Sequence, residues 1–350
     1  MSDKKLIIGM PAGSLANPDR GGNLINFLEN SGFKTSGYES GGPSKFVTNN
    51  FLFGWDGRPQ EFGSQLGIGE LDIAIAGDDW IKERILELDI EFNKKINLEK
   101  VLPLKRGGVK IVSIIYDEKN CFENINTFLK EKADKSDLLV MVSEMPYLAL
   151  DWLRNKLKAV NLLDKFAAYS VQKYKTPPRI QKGIIIYETW GKTEAKVKNL
   201  GADIGLEITQ TGSAIKNYGL KIIDTVMESE TGIWINPEIR DTPEKLELLR
   251  MFLLNLYGTI NAESKVLIIF NLSNKDINQI ETYLRENNLF ADEPTISKGK
   301  NYSEYSIQIE TNNPQIPISK IRYELARLGA KNIDTVPLTS SIPHINVIRV

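Results

Sequence analysis

The sequence predicts an α/β protein with a smaller α+β domain at its C-terminus. Two observations lead there. Short apolar runs alternate with turns and amphipathic helical stretches from residue 6 to residue 260, which is the pattern of strands and helices layered on one sheet. After residue 264 the order changes to strand, helix, strand, strand, helix, strand, the βαββαβ order of a ferredoxin-like domain.

In order along the chain, residues 6–10 read as a buried strand. Pro11-Ala12-Gly13-Ser14 reads as a turn, and 22–31 as a helix with apolar positions at Leu24, Ile25, Phe27 and Leu28. A loop at 41–43 and a short strand at 51–53 precede a helix at 61–68. A strand at 71–76 runs into Gly77-Asp78-Asp79-Trp80 and a helix through 87. Lys105-Arg106-Gly107-Gly108 is expected to turn ahead of a strand at 109–116, in a largely parallel sheet. Next come a strand at 138–142 and a helix at 146–157. The polar, basic stretch 158–182 reads as an insertion or long loop, with Lys165, Lys173, Lys175, Arg179 and Lys182 as solvated or site-directed charge. A strand at 183–189, a helix at 194–199 and a strand at 202–207 follow. Strands at 221–227 and 232–236 then return toward the first sheet. Thr242 and Pro243 open a helix with an apolar stripe at Leu246, Leu249, Leu253, Leu256 and Ile260. The last domain is expected as strand 265–272, helix 276–287, strands 294–298 and 304–311, helix 317–328 and strand 332–337.

Composition narrows the chemistry. The chain has 350 residues, 41% hydrophobic and 25% charged, with a net charge of -1. That balance argues against general binding to nucleic acid or a membrane surface. Cys121 is the only cysteine and His344 the only histidine. A disulfide within the chain, a thiolate zinc cluster and a histidine-based dyad are therefore excluded. The apolar run at 6–8 is too short for a signal peptide or a membrane span, so a cytoplasmic protein is expected.

The most telling segment is 202–220, ADIGLEITQTGSAIKNYGL. Asp203, flanked by apolar residues, suits a strand ending in a carboxylate, Glu207 follows, and Thr211-Gly212-Ser213-Ala214 leads into a helix. Such a turn aims amides and hydroxyls at a phosphate, helped by the positive end of the helix. A carboxylate beside it suits ribose hydroxyls or a phosphate-bound Mg²⁺. The alternative is a helix cap by Thr211 or Ser213.

Several words taken in order resemble the long form of ATP phosphoribosyltransferase. They are LIIGMPAGSL at the N-terminus, Arg58-Pro59-Gln60-Glu61, and the run from Gly69 to Ile81 against a "G-x-x-D-x-G-x-x-G-x-D-W-I" stretch. Trp190-Gly191-Lys192-Thr193-Glu194, the segment 202–220, Lys221 to Val226, Pro294-Thr295-Ile296 and Leu328-Gly329-Ala330 continue the match. The resemblance implies a two-lobed, periplasmic-binding-protein-like catalytic part and a ferredoxin-like regulatory domain. Its implied boundaries are 1–115 with 221–261 for lobe I, 116–220 for lobe II, and 262–350 for the regulatory domain. It implies attack by N1 of ATP on phosphoribosyl pyrophosphate (PRPP) with Mg²⁺, feedback inhibition by L-histidine, and a homo-oligomer, a hexamer built from dimers.

The resemblance also implies residue roles. Thr211, Gly212, Ser213, Ala214 and Ile215 wrap the 5′-phosphate. Glu207 and Asp203 face ribose or the metal, and Arg58 binds phosphate. Gly13, Ser14, Asp79, Glu144 and Glu194 line the cleft, while Asp79 equally suits a helix cap. Trp190 is expected to pack rather than to stack on a base. The chain departs from the pattern at Ala12 and Asp78, where the family favours cations. It also carries Ser14 where many members have Arg, and Glu207 and Gln210 where Asp and Glu are usual. Fewer cations weaken a polyphosphate site. Two alternatives therefore stay open: a phosphoribosyltransferase with another acceptor, and a non-catalytic small-molecule binder.

Overall fold

The computed structural model describes residues 5–12, 23–38, 43–289 and 295–350. Gly13, Ser14 and Pro294, for which roles were expected, lie outside the described residues. The chain forms two compact units. One comprises residues 1–25 and 35–248 with Val350, and the other residues 26–34 and 249–349.

The first unit is built on a nine-stranded mixed sheet. At one side β1 (Leu6–Pro11) lies between β4 (Leu52–Gly57) and β5 (Ile73–Gly77), all parallel. A small ladder of β2 (Thr35–Ser36) and β3 (Lys45–Phe46) precedes β4. At the other side β10 (Ile204–Thr209), β7 (Leu138–Ser143), β9 (Gly183–Glu188) and β8 (Tyr169–Lys173) are also parallel. Between the two halves run two long strands, β6 (Glu99–Ile115) and β11 (Lys221–Ile235), antiparallel to each other. β11 is antiparallel to β5, and β6 is antiparallel to β10. The two parallel halves therefore run in opposite directions, and their C-terminal ends meet along the middle of β6. Thr231 of β11 pairs with both Gly77, at the end of β5, and Arg106 of β6. Thr209, the end of β10, pairs with Lys110. Four residues of extended chain, roughly 13 Å, separate those two points.

Here the sheet departs from the sequence reading. It is mixed rather than largely parallel. Lys105 to Gly108 is a bulged stretch inside β6, with φ of 55° at Lys105 and 61° at Gly107. The two strands expected at 221–227 and 232–236 are one strand with register shifts around Thr231. The apolar pattern breaks at these points because the strands leave the cores of the two halves and line the open middle. Residues 158–182 are not simply a loop, since β8 lies among them and forms the sheet edge. The helix Ile125–Lys135 escapes the sequence reading because its apolar face is short; Asn124 and Thr127 close its start with a reciprocal capping box.

α1 (Leu24–Asn30) falls mostly in the second unit; the helices of the first unit are α2 (Pro59–Gly67), α3 (Asp78–Phe92), α4 (Ile125–Lys135), α5 (Pro146–Ala159), α6 (Thr193–Lys198) and α7 (Ser213–Asn217). α2 and α3 pack through Phe62, Leu66 and Ile81 over β5. α4 and α5 bury Phe128, Leu129, Leu148 and Leu153 against Met141, Ile184 and Ile204. Both sets of side chains are withdrawn from water, which is the main force holding helices to the sheet.

In the second unit, α8 (Pro243–Ala262) contributes its C-terminal half. β12 (Lys265–Ser273), α9 (Ile277–Glu286), β13 (Thr295–Lys298), β14 (Tyr302–Glu310), α10 (Ile318–Arg327) and β15 (Lys331–Pro337) follow. The sheet order β13-β14-β12-β15 is antiparallel throughout, as a ferredoxin-like βαββαβ fold requires. Phe270, Tyr305, Ile280, Leu284, Ile321 and Leu325 form its core. Ser341 ties the C-terminal segment to α8. Its amide donates to the Gly258 carbonyl at 2.9 Å, and its carbonyl accepts from the Asn261 side chain at 2.8 Å.

Candidate active site

The opposed strand ends enclose a cleft of about 480 Å³ lined by Asp78, Gly108, Lys110, Gln210, Glu228 and Ser229. Lys110 pairs with Glu228 at 3.4 Å. Asp78, expected to weaken anion binding, is neutralised by Lys100 at 2.8 Å. Sequence reasoning overlooked Lys110 and Ser229. The only signal was the polar interruption of two otherwise apolar strands.

The segment 209–215 stands at the end of β10. Gly212 has φ of 74°, a left-handed conformation that glycine adopts at little cost. Its amide donates to the Thr209 hydroxyl at 2.8 Å, and the Thr211 and Ser213 hydroxyls are 2.8 Å apart. Thr211, Ser213 and Ala214 are exposed, whereas Ile215 is buried in the core under α7. The Ile215 side chain is thus a packing residue, and only its amide is free to face a ligand. The amides of Ala214 and Ile215 find no acceptor among the described residues.

Glu207 lies two residues before Thr209, half-buried. Burial, then the negative charges of Glu194 and Glu144, push its carboxyl up to about 7, although the Ile208 amide and the Thr193 hydroxyl favour the charged form. Glu144, at the end of β7, accepts the Gly191 amide at 2.5 Å. Three of the expected carboxylates therefore converge. Among the described residues no group of three or more acidic, histidine or cysteine side chains could hold a metal by itself.

Two expected members are elsewhere. Asp203 precedes β10 rather than ending it, so it stands at the opposite end of the strand from the loop. It is ion-paired to Lys132, and it accepts the Val140 amide at 3.0 Å, fastening β10 to β7. At about 3.3 Å per residue it lies roughly 13 Å from Glu207, too far to share an ion. Asp79 is buried, not cleft-lining. It accepts its helix's Trp80 amide at 2.9 Å and its own amide donates to Ser229 at 3.1 Å. Its neighbour Asp78 faces the cleft instead. Arg58 is exposed beside the Pro11–Gly57 pair, at the end of β4, and its guanidinium has no partner among the described residues. Of the basic residues in 158–182, Lys165 and Lys182 pair with Asp137 at the far end of the sheet. They supply nothing to the cleft.

Residues 58–256, more than half of the chain, match the family model "HisG: ATP phosphoribosyltransferase". The chain is 24% identical over 332 residues to an ATP phosphoribosyltransferase of Chlorobium luteolum, covering 95% of this chain and 96% of that protein. It is 26% identical over 285 residues to ATP phosphoribosyltransferase 1 of Geobacter sulfurreducens, covering 81% and 83%. A solved structure of the ATP phosphoribosyl transferase (HisG:HisZ) complex from Thermotoga maritima is similar at 15% identity and a TM-score of 0.48, over 72% of this chain and 98% of that one.

The protein is a transferase of the phosphoribosyl-transferring class. More specifically, the chain belongs to the ATP phosphoribosyltransferase family, whose reaction is the first step of histidine biosynthesis.

Proposed function

We propose that the segment 209–215 binds the 5′-phosphate of PRPP and that Glu207 engages the ribose hydroxyls while N1 of ATP attacks the anomeric carbon. The N–C bond forms as the C–O bond to pyrophosphate breaks, and pyrophosphate leaves with its electron pair. The transition state is oxocarbenium-like, so the protein's task is to position both substrates and stabilise charge. The single observation that supports this most is the left-handed Gly212 at the end of β10, followed by the Ala214 and Ile215 amides, which have no acceptor among the described residues; the raised Glu207 carboxyl before it adds to this.

Mg²⁺ would be held chiefly by substrate phosphates, with Glu207 as the protein residue that would hold it, and it would supply positive charge to offset the leaving pyrophosphate. A site with one protein carboxylate and several phosphate oxygens fits the donor set, whereas an all-protein cage does not. Arg58, without a partner among the described residues at the end of β4, supplies a bidentate cation for phosphate. Residues 1–115 with 221–261 and residues 116–220 act as two lobes closing on the substrates. The ferredoxin-like domain binds L-histidine as inhibitor, and the protein works as a homo-oligomer in the cytoplasm. Among the described residues no helix is long and apolar enough to cross a membrane.

The test is a purified-protein assay with PRPP, ATP and Mg²⁺, following pyrophosphate and phosphoribosyl-ATP. Product formation sustains the reading. PRPP consumption only with another acceptor would replace ATP as second substrate, and binding without turnover would favour a non-catalytic binder.

A further inference from the structure

Trp190 does not pack, contrary to the sequence expectation: 70% of it is exposed. Isolated exposed apolar residues are ordinary on a protein surface; what sets Trp190 apart is a fixed backbone at the ligand-binding end of a sheet. The place is rigid. Gly191 turns the backbone with φ of 73°, and Lys192 follows in the left-handed region at 60°. The Gly191 amide is held by Glu144 at 2.5 Å, and its carbonyl by the Lys196 ammonium at 2.6 Å. Thr193 is fully buried immediately afterwards. The loop is thus pinned on both sides, with its aromatic ring left outside.

The location is equally specific. Trp190 follows β9, so it stands at the C-terminal end of the same parallel half-sheet as Glu207 and the 209–215 segment. Ligands of open α/β sheets bind at that end. Thr189 donates its amide to the Ser143 carbonyl at 2.9 Å, and Ser143 pairs with Leu206, which puts the loop level with Glu144 and Glu207. Lys192, exposed, forms no ion pair among the described residues, and it offers a cation on the same loop.

From this geometry we infer that Trp190 is the stacking platform for the purine ring of the second substrate, on a loop that Glu144 and Lys196 hold in place. Glu144 is then a positioning residue, since it acts through the Gly191 amide. The inference rests on ATP being the second substrate, as proposed above. An aromatic face recognises a purine by stacking, which tolerates any base and gives affinity rather than base identity.

The test uses the full-length protein and the variants Trp190→Ala and Trp190→Phe, with melting temperature measured for each. Direct ATP binding by calorimetry is expected to weaken about tenfold in Trp190→Ala and less than threefold in Trp190→Phe. In turnover the same factor is expected in KM for ATP, with KM for PRPP unchanged. ATP is also expected to quench tryptophan fluorescence in wild type and not in Trp190→Phe. ATP affinity within twofold of wild type in Trp190→Ala would overturn the inference. So would an equal loss for both substrates accompanied by a lower melting temperature, or a change only in oligomeric state, which would make Trp190 a contact between copies. Because calorimetry reads ATP without turnover, a protein that fails to make phosphoribosyl-ATP still decides the question of Trp190.

Discussion

The carboxylate of Glu83 accepts the Leu148 amide at 2.6 Å and the Tyr147 amide at 3.1 Å. A buried side chain of α3 thus caps the N-terminus of α5, which has no capping side chain of its own. The contact joins the half of the unit that carries β5 to the half that carries β7. Removing the carboxylate leaves two amides without an acceptor, so Glu83→Ala should lose about 3 kcal/mol of stability, read by denaturant unfolding.

Glu83 also sets a pH dependence. Burial pushes its carboxyl from an ordinary 4.5 up to about 7, against the two amides and Arg84, with Glu87 adding to the rise. The folded value lies above the unfolded one, so the native state holds the proton more tightly. The resulting stabilisation is fully present below about 4.5 and is lost as pH rises to about 7. The stability of wild type relative to Glu83→Gln should therefore fall across that window. A constant difference between the two proteins would show that Glu83 does not titrate there.

The second titration concerns catalysis. If ionised Glu207 is needed, kcat/KM should rise with pH through a value near 7 and level off above it. Glu194→Gln removes the neighbouring charge that raises Glu207 more than Glu144 does, and should move that limb to lower pH. Glu207→Gln should reduce turnover by one or more orders of magnitude. Turnover of Glu207→Gln equal to wild type would return Glu207 to a structural role.

Gly212→Val should abolish PRPP binding by calorimetry and leave the melting temperature within a few degrees. A β-branched residue at φ of 74° costs on the order of 1–2 kcal/mol and pulls the loop toward another conformation. Unchanged PRPP affinity would remove the loop from the site.

Asp203→Asn tests the opposite assignment. Its carboxylate binds Lys132 and the Val140 amide at the far end of β10. Turnover should stay within about twofold, with a stability loss of roughly 1 kcal/mol or less from a partly exposed pair. A hundredfold loss of turnover would bring Asp203 back into catalysis.

Ending the chain after Asn261 should leave PRPP binding measurable and remove any response to L-histidine. The cut also deletes Ser341, whose hydrogen bonds hold α8 at Gly258 and Asn261, so the truncated protein should be less stable. Full-length protein that turns over ATP and PRPP yet ignores millimolar L-histidine would make the domain an assembly element.

Local pattern was enough for much of this protein. The apolar runs that became β1, β5, β7 and β9 are buried, so each reads as continuous hydrophobic sequence. The βαββαβ order after residue 264 was legible because each element alternates between core and solvent. Small residues and hydroxyls at 209–214, with Glu207 before them, marked the candidate phosphate segment. Tertiary structure alone decided the rest. The direction of each strand placed Asp203 at one end of β10 and Glu207 at the other, though they are four residues apart in sequence. Pairing across the sheet joined what read as two strands into β11 and hid a bulge inside β6. Burial separated Asp79, locked in the fold, from Asp78, facing the cleft, and it left Trp190 outside. A residue's type and spacing limit what it can do. The strand it follows and the water it meets decide where it does it.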